Sequence, residues 1–324
     1  MRKIKGKHLL YKIPRVDANE KRIYSYSYNK PEEKDDGFES AELSEAGIDS
    51  TFIYKLIENI LKGRMARVHS LLLLKDDKLV LEEYFHTYDE NKLHPIESVT
   101  KSFTSALTGI AIDRNYIRDV DDPVLNYLDK WNHTQWVMKK YDISIKNLVT
   151  MTAGLNWKAF TPNEYNDDMN IYLAPDYIEY ILNKDLKDKP GERFFYNNRL
   201  MYLQGQVIET STGISMDSFA TRYLFDPLGI KDHIWKVYDN GVTETGGGLK
   251  LKPRDMMKFG SLYLTEGKWQ DKQIVSSEWI KASTIMIIPE FNTVFVMTAG
   301  NFFQTPQRLD EIMTAYILPA LNTN

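Results

Sequence analysis

The 324-residue chain is 43% apolar and 27% charged, proportions ordinary for a globular protein long enough to bury a large core. A formal net charge of −4 leaves no basic footprint and argues against a nucleic-acid partner; the absence of cysteine removes disulfides, thiol catalysis and cysteine-bound metals. The longest apolar runs, such as the four leucines 71–74, are far too short for a transmembrane segment.

In chain order, "MRKIKGKHLLYKIPR" is basic but lacks the apolar centre of a secretory signal. The chain therefore reads as cytoplasmic as written, or extracytoplasmic if a leader has been removed. Residues 1–40 form a polar arm in which "NKPEEKDDG" is exposed and loose. "DSTFIYKLIENILKGR" (Asp49 to Arg64) places Phe52, Ile53, Leu56 and Ile60 at helical spacing. "VHSLLLLKDDKLVLEEYF" reads as two strands turned at Asp76-Asp77. From Ser98 to about Tyr238 helices dominate: "NLVTMTAGL", "APDYIEYILNKDL", "RLMYLQGQVIETSTG" and "SMDSFATRYLFDPLG", with Gly213 and Gly229 where C-cap glycines belong. Past "TGGGL" (Thr245 to Leu249), "RDMMKFGSLYLTEG" and "SSEWIKAS" are helical in pattern. "IMIIPEFNTVFVMTAG" suggests a second hairpin turned at Pro289 to Asn292, and "TPQRLDEIMTAYILPAL" closes the chain as an amphipathic helix. Strands near both ends thus bracket a helical middle. The expected class is α+β, a mostly antiparallel sheet flanked by the first and last helices. Residues 41–324 would form one unit, with sheet regions 41–97 and 241–324 and the helical region 98–240 inserted. The six histidines show no metal-ligand spacing, so each reads as a surface or satisfied core residue.

Two short patterns can carry chemistry. Ser98-Val99-Thr100-Lys101 is one S-x-x-K match; Ser27-Tyr28-Asn29-Lys30 is another, in the loose arm, with Pro31 disfavouring helix at Lys30. Ser98 instead heads a run whose Val99, Phe103, Leu107, Ile110 and Ala111 would pin one helical face inward. Residues three apart then share a face, so Lys101 can lie against Ser98. A partly desolvated lysine can take a serine's proton, and a helix N-terminus favours negative charge near Ser98. On spacing alone, a serine near the helix N-cap with a solvated lysine one turn later is the better-supported reading. In "KPGERFFYNNRLMYLQGQVIE", Tyr196 and Asn198 fall at a loop-to-helix junction, able to shuttle a proton and orient a carbonyl. Tyr196-x-Asn198 alone also fits an ordinary turn, as Tyr238-Asp239-Asn240 does.

Taken with their flanks, these patterns resemble the serine β-lactamase and penicillin-binding-protein-like superfamily, in its branch of class C β-lactamase-like esterases and amidases. The resembling blocks run in family order: "SLLLLKDDKLVLEEYF", "ESVTKSFTSALTGIAID", "ISIKNLVTMTAGLNW", "PGERFFYNNRLMYLQGQVIETSTG", "LFDPLGI", "GGGLKLKPRDMMKFGSLYLTEGKW" and "IIPEFNTVFVMTAGN". The resemblance implies a β-lactamase-like fold and a serine hydrolase. Ser98 would be the nucleophile that forms an acyl-enzyme, Lys101 its base, Tyr196 the proton relay to the leaving group, and Asn198 the amide that holds substrate. The Ser98 backbone N–H would be half of the oxyanion hole. The implied substrate is a small ester, amide, peptide or β-lactam, with esters and amides favoured, and no metal or cofactor is implied.

One family element has no counterpart. A Lys-Thr-Gly or His/Gly-rich motif on a cleft-lining strand is absent, and only Thr284 separates "SSEWIKAS" from "IMIIPEFN". Connections of about 2–6 residues are usual, and no Gly, Pro or Asn stands between Ser283 and Ile285 to turn the chain. Either a segment is missing between Ser283 and Ile285, or the sheet is smaller and half the oxyanion hole is gone. Thr298-Ala299-Gly300 mimics the motif but reads as a structural strand end. Two functions stay open: an active serine hydrolase, or a catalytically impaired homologue that binds an acyl or peptidoglycan-like ligand.

Overall fold

A computed structural model describes residues 13–65, 67–139, 141–159, 166–283, 289–300 and 307–322. The elements used below are β1 (Glu39–Ser40), α1 (Ser50–Leu61), β2 (Val68–Lys75), β3 (Lys78–Tyr84), α2 (Thr100–Asp113), α3 (Leu200–Thr212), β4 (His233–Trp235), β5 (Leu249–Leu251), α4 (Pro253–Leu264), α5 (Ser277–Ala282), β6 (Thr293–Ala299) and α6 (Gln307–Ile312). The chain divides into two compact units, one of Met1–His94, Lys252–Thr265 and Met286–Asn324, the other of Pro95–Leu251 and Glu266–Ile285. The class is α+β with antiparallel sheet pairing, as expected.

The first unit is built on a sheet of order β1-β3-β2-β6. β2 and β3 pair antiparallel, Leu71 opposite Glu83, through a turn in which Asp76 and Asp77 take φ of +50° and +60°. Two successive left-handed residues are what a two-residue hairpin with matching strand twist needs, and aspartate tolerates that region better than most side chains. Leu71 to Leu74 are all fully buried, with no alternation, because both faces of β2 are covered. On one face α1 contributes Ile53, Leu56, Ile57 and Ile60, joined by Ile312 and Ile317 from the C-terminal helices. Its N-cap is Asp49, whose carboxylate accepts from the Thr51 N–H at 2.9 Å. On the other face α4 lies close against β6: a methyl group at Gly260 would fall 2.5 Å from Val294.

The described part of the N-terminal arm, from residue 13, is anchored where looseness was expected; residues 1–12 lie outside the described residues. Arg15 donates to Glu83 (2.6 Å), as does Tyr26 Oη (2.6 Å), and Tyr28 Oη reaches the Val80 carbonyl at 2.9 Å. Lys30 donates to the Ser40 carbonyl at 3.3 Å instead of reaching Ser27, so the second S-x-x-K match holds no fixed pair. Thr298 is also spent structurally, its buried hydroxyl 2.7 Å from that of Ser70.

Three histidines that look unrelated in sequence gather in this unit. His69 Nδ1 lies 2.8 Å from His94 Nε2, the His69 ring stacks on Tyr88, and His86 meets it edge-on. Burial first, and then the neighbouring His94 and His86, push the His69 pKa down to about 3. The unfolded chain, titrating near 6.5, binds this proton more readily, so stability falls as pH drops from about 6.5 toward 3. The Tm of the wild type should therefore decline more steeply between pH 7 and pH 4 than that of His69→Gln, and calorimetry at half-unit pH steps would measure the difference. Equal slopes would refute the assignment. Among the described residues, no group of His, Asp or Glu is arranged to hold a metal ion, and no helix is long and apolar enough to cross a membrane.

In the second unit α2 buries Phe103, Ala106, Leu107, Ile110 and Ala111 as its spacing predicts. Val99 departs from that stripe and is 55% exposed, because it sits in the tighter turn before α2 begins. At Gly109 a methyl group would meet the Trp279 ring at 2.5 Å, so the glycine permits the close approach of α5. α3 ends at Gly213 with φ +72°, and β4 pairs antiparallel with β5. "NLVTMTAGL" yields only the short helix Ile145–Val149, since Met151 and Gly154 turn left-handed at φ +54° and +72°. The junction between Ser283 and Ile285, and the first arm of the expected second hairpin, lie outside the described residues. Pro289–Phe291 form a helical turn into β6.

Candidate active site

Ser98, Lys101, Tyr196 and Asn198 all belong to the second unit. Ser98 lies in a single 3-10 turn, Glu97–Val99, that runs into α2. Glu97 takes φ +48°, a left-handed conformation that costs a non-glycine residue about 1 kcal/mol or more and sets the exposed Ser98 at a sharp bend. One turn later Lys101 Nζ donates to Ser98 Oγ at 3.0 Å and to the Gly246 carbonyl at 2.5 Å. Tyr196 Oη lies 2.8 Å from Ser98 Oγ, and the Lys101 ammonium stands 5.2 Å from the Tyr196 ring centroid. The serine oxygen thus touches two groups able to move its proton. Burial lowers the Lys101 pKa from its usual value, with Tyr196 and Glu244 opposing the shift and Arg199 adding to it. A lysine so placed is deprotonated at lower pH than a solvated one, as a base acting on serine requires.

Helix α2 is fixed to its surroundings by a ladder of buried threonines four residues apart. Thr104 Oγ1 donates to the Thr245 carbonyl (2.8 Å), Thr100 Oγ1 accepts from the Leu249 N–H (3.3 Å), and Thr108 Oγ1 accepts from Gln204 of α3 (2.6 Å). Thr245 Oγ1 in turn donates to the Met201 carbonyl at 2.5 Å. These bonds hold the glycine turn over the first turn of α2, where the Gly246 carbonyl meets Lys101. The Thr-x3-Thr-x3-Thr spacing of Thr100, Thr104 and Thr108 is the sequence signal for this polar face, and apolar periodicity does not reveal it.

Asn198 makes no hydrogen bond to Ser98, Lys101 or Tyr196. It lies against the same glycine turn, where a methyl group at Gly246 would come within 3.0 Å of the Asn198 carbonyl. Its Oδ1 is buried without a hydrogen-bond partner, as is Nδ2 of Asn197, while Nε of the next residue, Arg199, has only the Asp168 carboxylate at 3.8 Å. Adjacent residues with an unmet polar atom each are uncommon, because a buried polar group normally finds a bond. The structure therefore brings Ser98, Lys101 and Tyr196 into direct contact and sets Asn198 beside them with an acceptor to spare.

Comparison with known proteins points to one family. The beta-lactamase family model matches residues 55–286, more than two-thirds of the chain. Protein flp of Staphylococcus aureus strain N315 is 26% identical over 211 residues; the match covers 62% of this chain but only 41% of that protein. Among solved structures, a Bacillus anthracis protein provisionally described as a 6-aminohexanoate-dimer hydrolase superposes with a TM-score of 0.70 at 19% identity, covering 90% of each chain. FmtA from Staphylococcus aureus gives a TM-score of 0.62 at 16% identity, over 84% of this chain and 91% of the other. At these identities the structural likenesses speak for the fold. With the family match spanning the Ser98, Tyr196 and Gly246 segments, the chain belongs to the beta-lactamase family of serine-hydrolase-like proteins.

Proposed function

We propose that the protein is a serine hydrolase that cleaves a small ester or amide through an acyl-enzyme at Ser98. The observation that carries this reading is the simultaneous contact of Ser98 Oγ with Lys101 Nζ and Tyr196 Oη. Neutral Lys101 takes the Ser98 proton as Oγ attacks the substrate carbonyl. Tyr196 relays that proton from Lys101 to the leaving group as the tetrahedral intermediate collapses, and water then hydrolyses the Ser98 ester, returning a proton to Oγ. The Asn198 amide orients the substrate, and the Ser98 N–H steadies the oxyanion.

A second reading, a catalytically impaired homologue that binds an acyl or peptidoglycan-like ligand, is favoured by one observation: the sequence contains no Lys-Thr-Gly. Loss of one oxyanion donor typically lowers turnover by about 10²–10³-fold. Intact mass after treatment with a fluorophosphonate separates the two. The hydrolase reading expects one adduct on the wild type and none on Ser98→Ala. No adduct, or one that persists in Ser98→Ala, would overturn it. Turnover of p-nitrophenyl esters against a chromogenic cephalosporin then ranks ester above β-lactam or reverses that order.

A further inference from the structure

Just beyond the reacting trio sits a carboxylate with no role in the scheme above. Glu244 immediately precedes the Thr245–Gly248 turn, and its Oε2 accepts from Tyr202 Oη at 2.7 Å and also from Tyr238 Oη. The two tyrosines lie 3.0 Å apart, oxygen to oxygen; Arg199 donates to Tyr202 and, at 3.0 Å, to Tyr172. Glu244 makes no ion pair among the described residues, so its charge is held by neutral hydroxyls and is not cancelled by a contacting cation.

The backbone of Glu244 is equally fixed. Its carbonyl accepts from Trp235 Nε1 and from the Gly248 N–H, each at 3.0 Å, and its own N–H donates to the Lys236 carbonyl at 2.8 Å. The glycines that follow make room for the side chain to fold back beneath the turn. A methyl group at Gly248 would fall 2.5 Å from Glu244 Cβ, and one at Gly246 would lie 3.4 Å from Glu244 Oε1. The Gly246 carbonyl on that turn is the acceptor that holds Lys101.

We propose that Glu244 is a positioning residue for Lys101: it anchors the turn that carries the lysine's carbonyl acceptor and presents a negative charge to the ammonium. The proposal rests on the reading of Lys101 as the base. The charged and titratable groups around Lys101 are Tyr196 and Arg199 on the segment leading into α3, and Glu244 on the turn. Around Glu244 stand Tyr202, Tyr238 and Arg199, with Lys236 over the Tyr238 ring. Of these, Glu244 is the carboxylate, and it favours the protonated lysine. Removing its charge should release the proton at lower pH.

The test is the rate of Ser98 labelling by a fluorophosphonate, followed by intact mass from pH 5 to pH 10 in the full chain. Glu244→Gln keeps an acceptor for both tyrosines and loses the charge; Glu244→Asp keeps the charge. The acid limb of the labelling rate should move down by about one pH unit in the glutamine variant and stay near the wild-type position in the aspartate variant. Should the glutamine variant not melt cooperatively, Glu244→Met serves as the neutral form, with the same shift expected. A rate change without movement of the limb, or equal movement in the aspartate variant, would overturn the electrostatic role of Glu244 and leave Lys101 as the base. A wild type that does not label, or one whose labelling is unaffected by Lys101→Met, would overturn the underlying reading, and this inference with it.

Discussion

Lys101→Met should slow acylation of Ser98 by about 10²–10⁴-fold, the range that a positioned general base contributes. Methionine matches the length of the lysine stem, so α2 and its threonine ladder are left in place and the Tm should move little. What disappears is the group 3.0 Å from Ser98 Oγ, the base within hydrogen-bond reach of it apart from the Tyr196 hydroxyl. Labelling kinetics and a thermal melt on the same preparation separate loss of chemistry from loss of fold. Lys101→Arg should fare little better, since a guanidinium stays protonated at any working pH. Labelling within about threefold of the wild type in Lys101→Met would mean that the lysine only holds the Gly246 carbonyl.

The largest stability effect should come from the first unit. Arg254, at the start of α4, donates through Nε and Nη2 to both oxygens of Glu82 (2.9 and 2.6 Å). It also donates to Asp36 at 2.8 Å and to the Glu32 carbonyl at 2.9 Å. The arginine and Glu82 side chains are only 8% and 7% exposed, so water cannot replace a lost partner. Arg254→Met should cost about 3–5 kcal/mol, because the buried carboxylate of Glu82 is left with the Tyr84 hydroxyl alone. A Tm lower by about 10 °C is expected. Adding Glu82→Gln to Arg254→Met should recover part of the loss, the signature of a penalty set by the orphaned charge. A fall of under about 1 kcal/mol in the single variant would show that the pair is solvent-screened.

Much of this was legible in the sequence, for reasons that differ by element. The β2–β3 hairpin announces itself through Asp76-Asp77 between two apolar runs, and α1 through Ile53, Leu56 and Ile60. The Ser98–Lys101 pairing follows from a helical register that the apolar face of α2 enforces. What escaped were features whose cause lies in distant partners. Glu97 carries no residue-type mark of its left-handed turn. Tyr202, Tyr238 and Glu244 are spread over some forty positions and form one network only after α3, β4 and the glycine turn have folded. The arm around Tyr26 and Tyr28 is polar enough to read as loose, yet its two hydroxyls and Arg15 find acceptors on β3. Val99 shows the converse error, an apolar residue counted into a helix that starts one residue later.

The hold on Lys101 has a consequence for how such a protein can diversify. Its second anchor is a main-chain oxygen, that of Gly246, and not a side chain. No single substitution deletes that acceptor; only a change in the path of the backbone can withdraw it. The neighbouring surface, with Val99, Phe194 and Phe195 facing solvent, can therefore be rewritten residue by residue while the lysine stays where it is. The position of Lys101 is in this sense inherited separately from the exposed surface beside it, encoded in the few glycines and threonines that shape one turn.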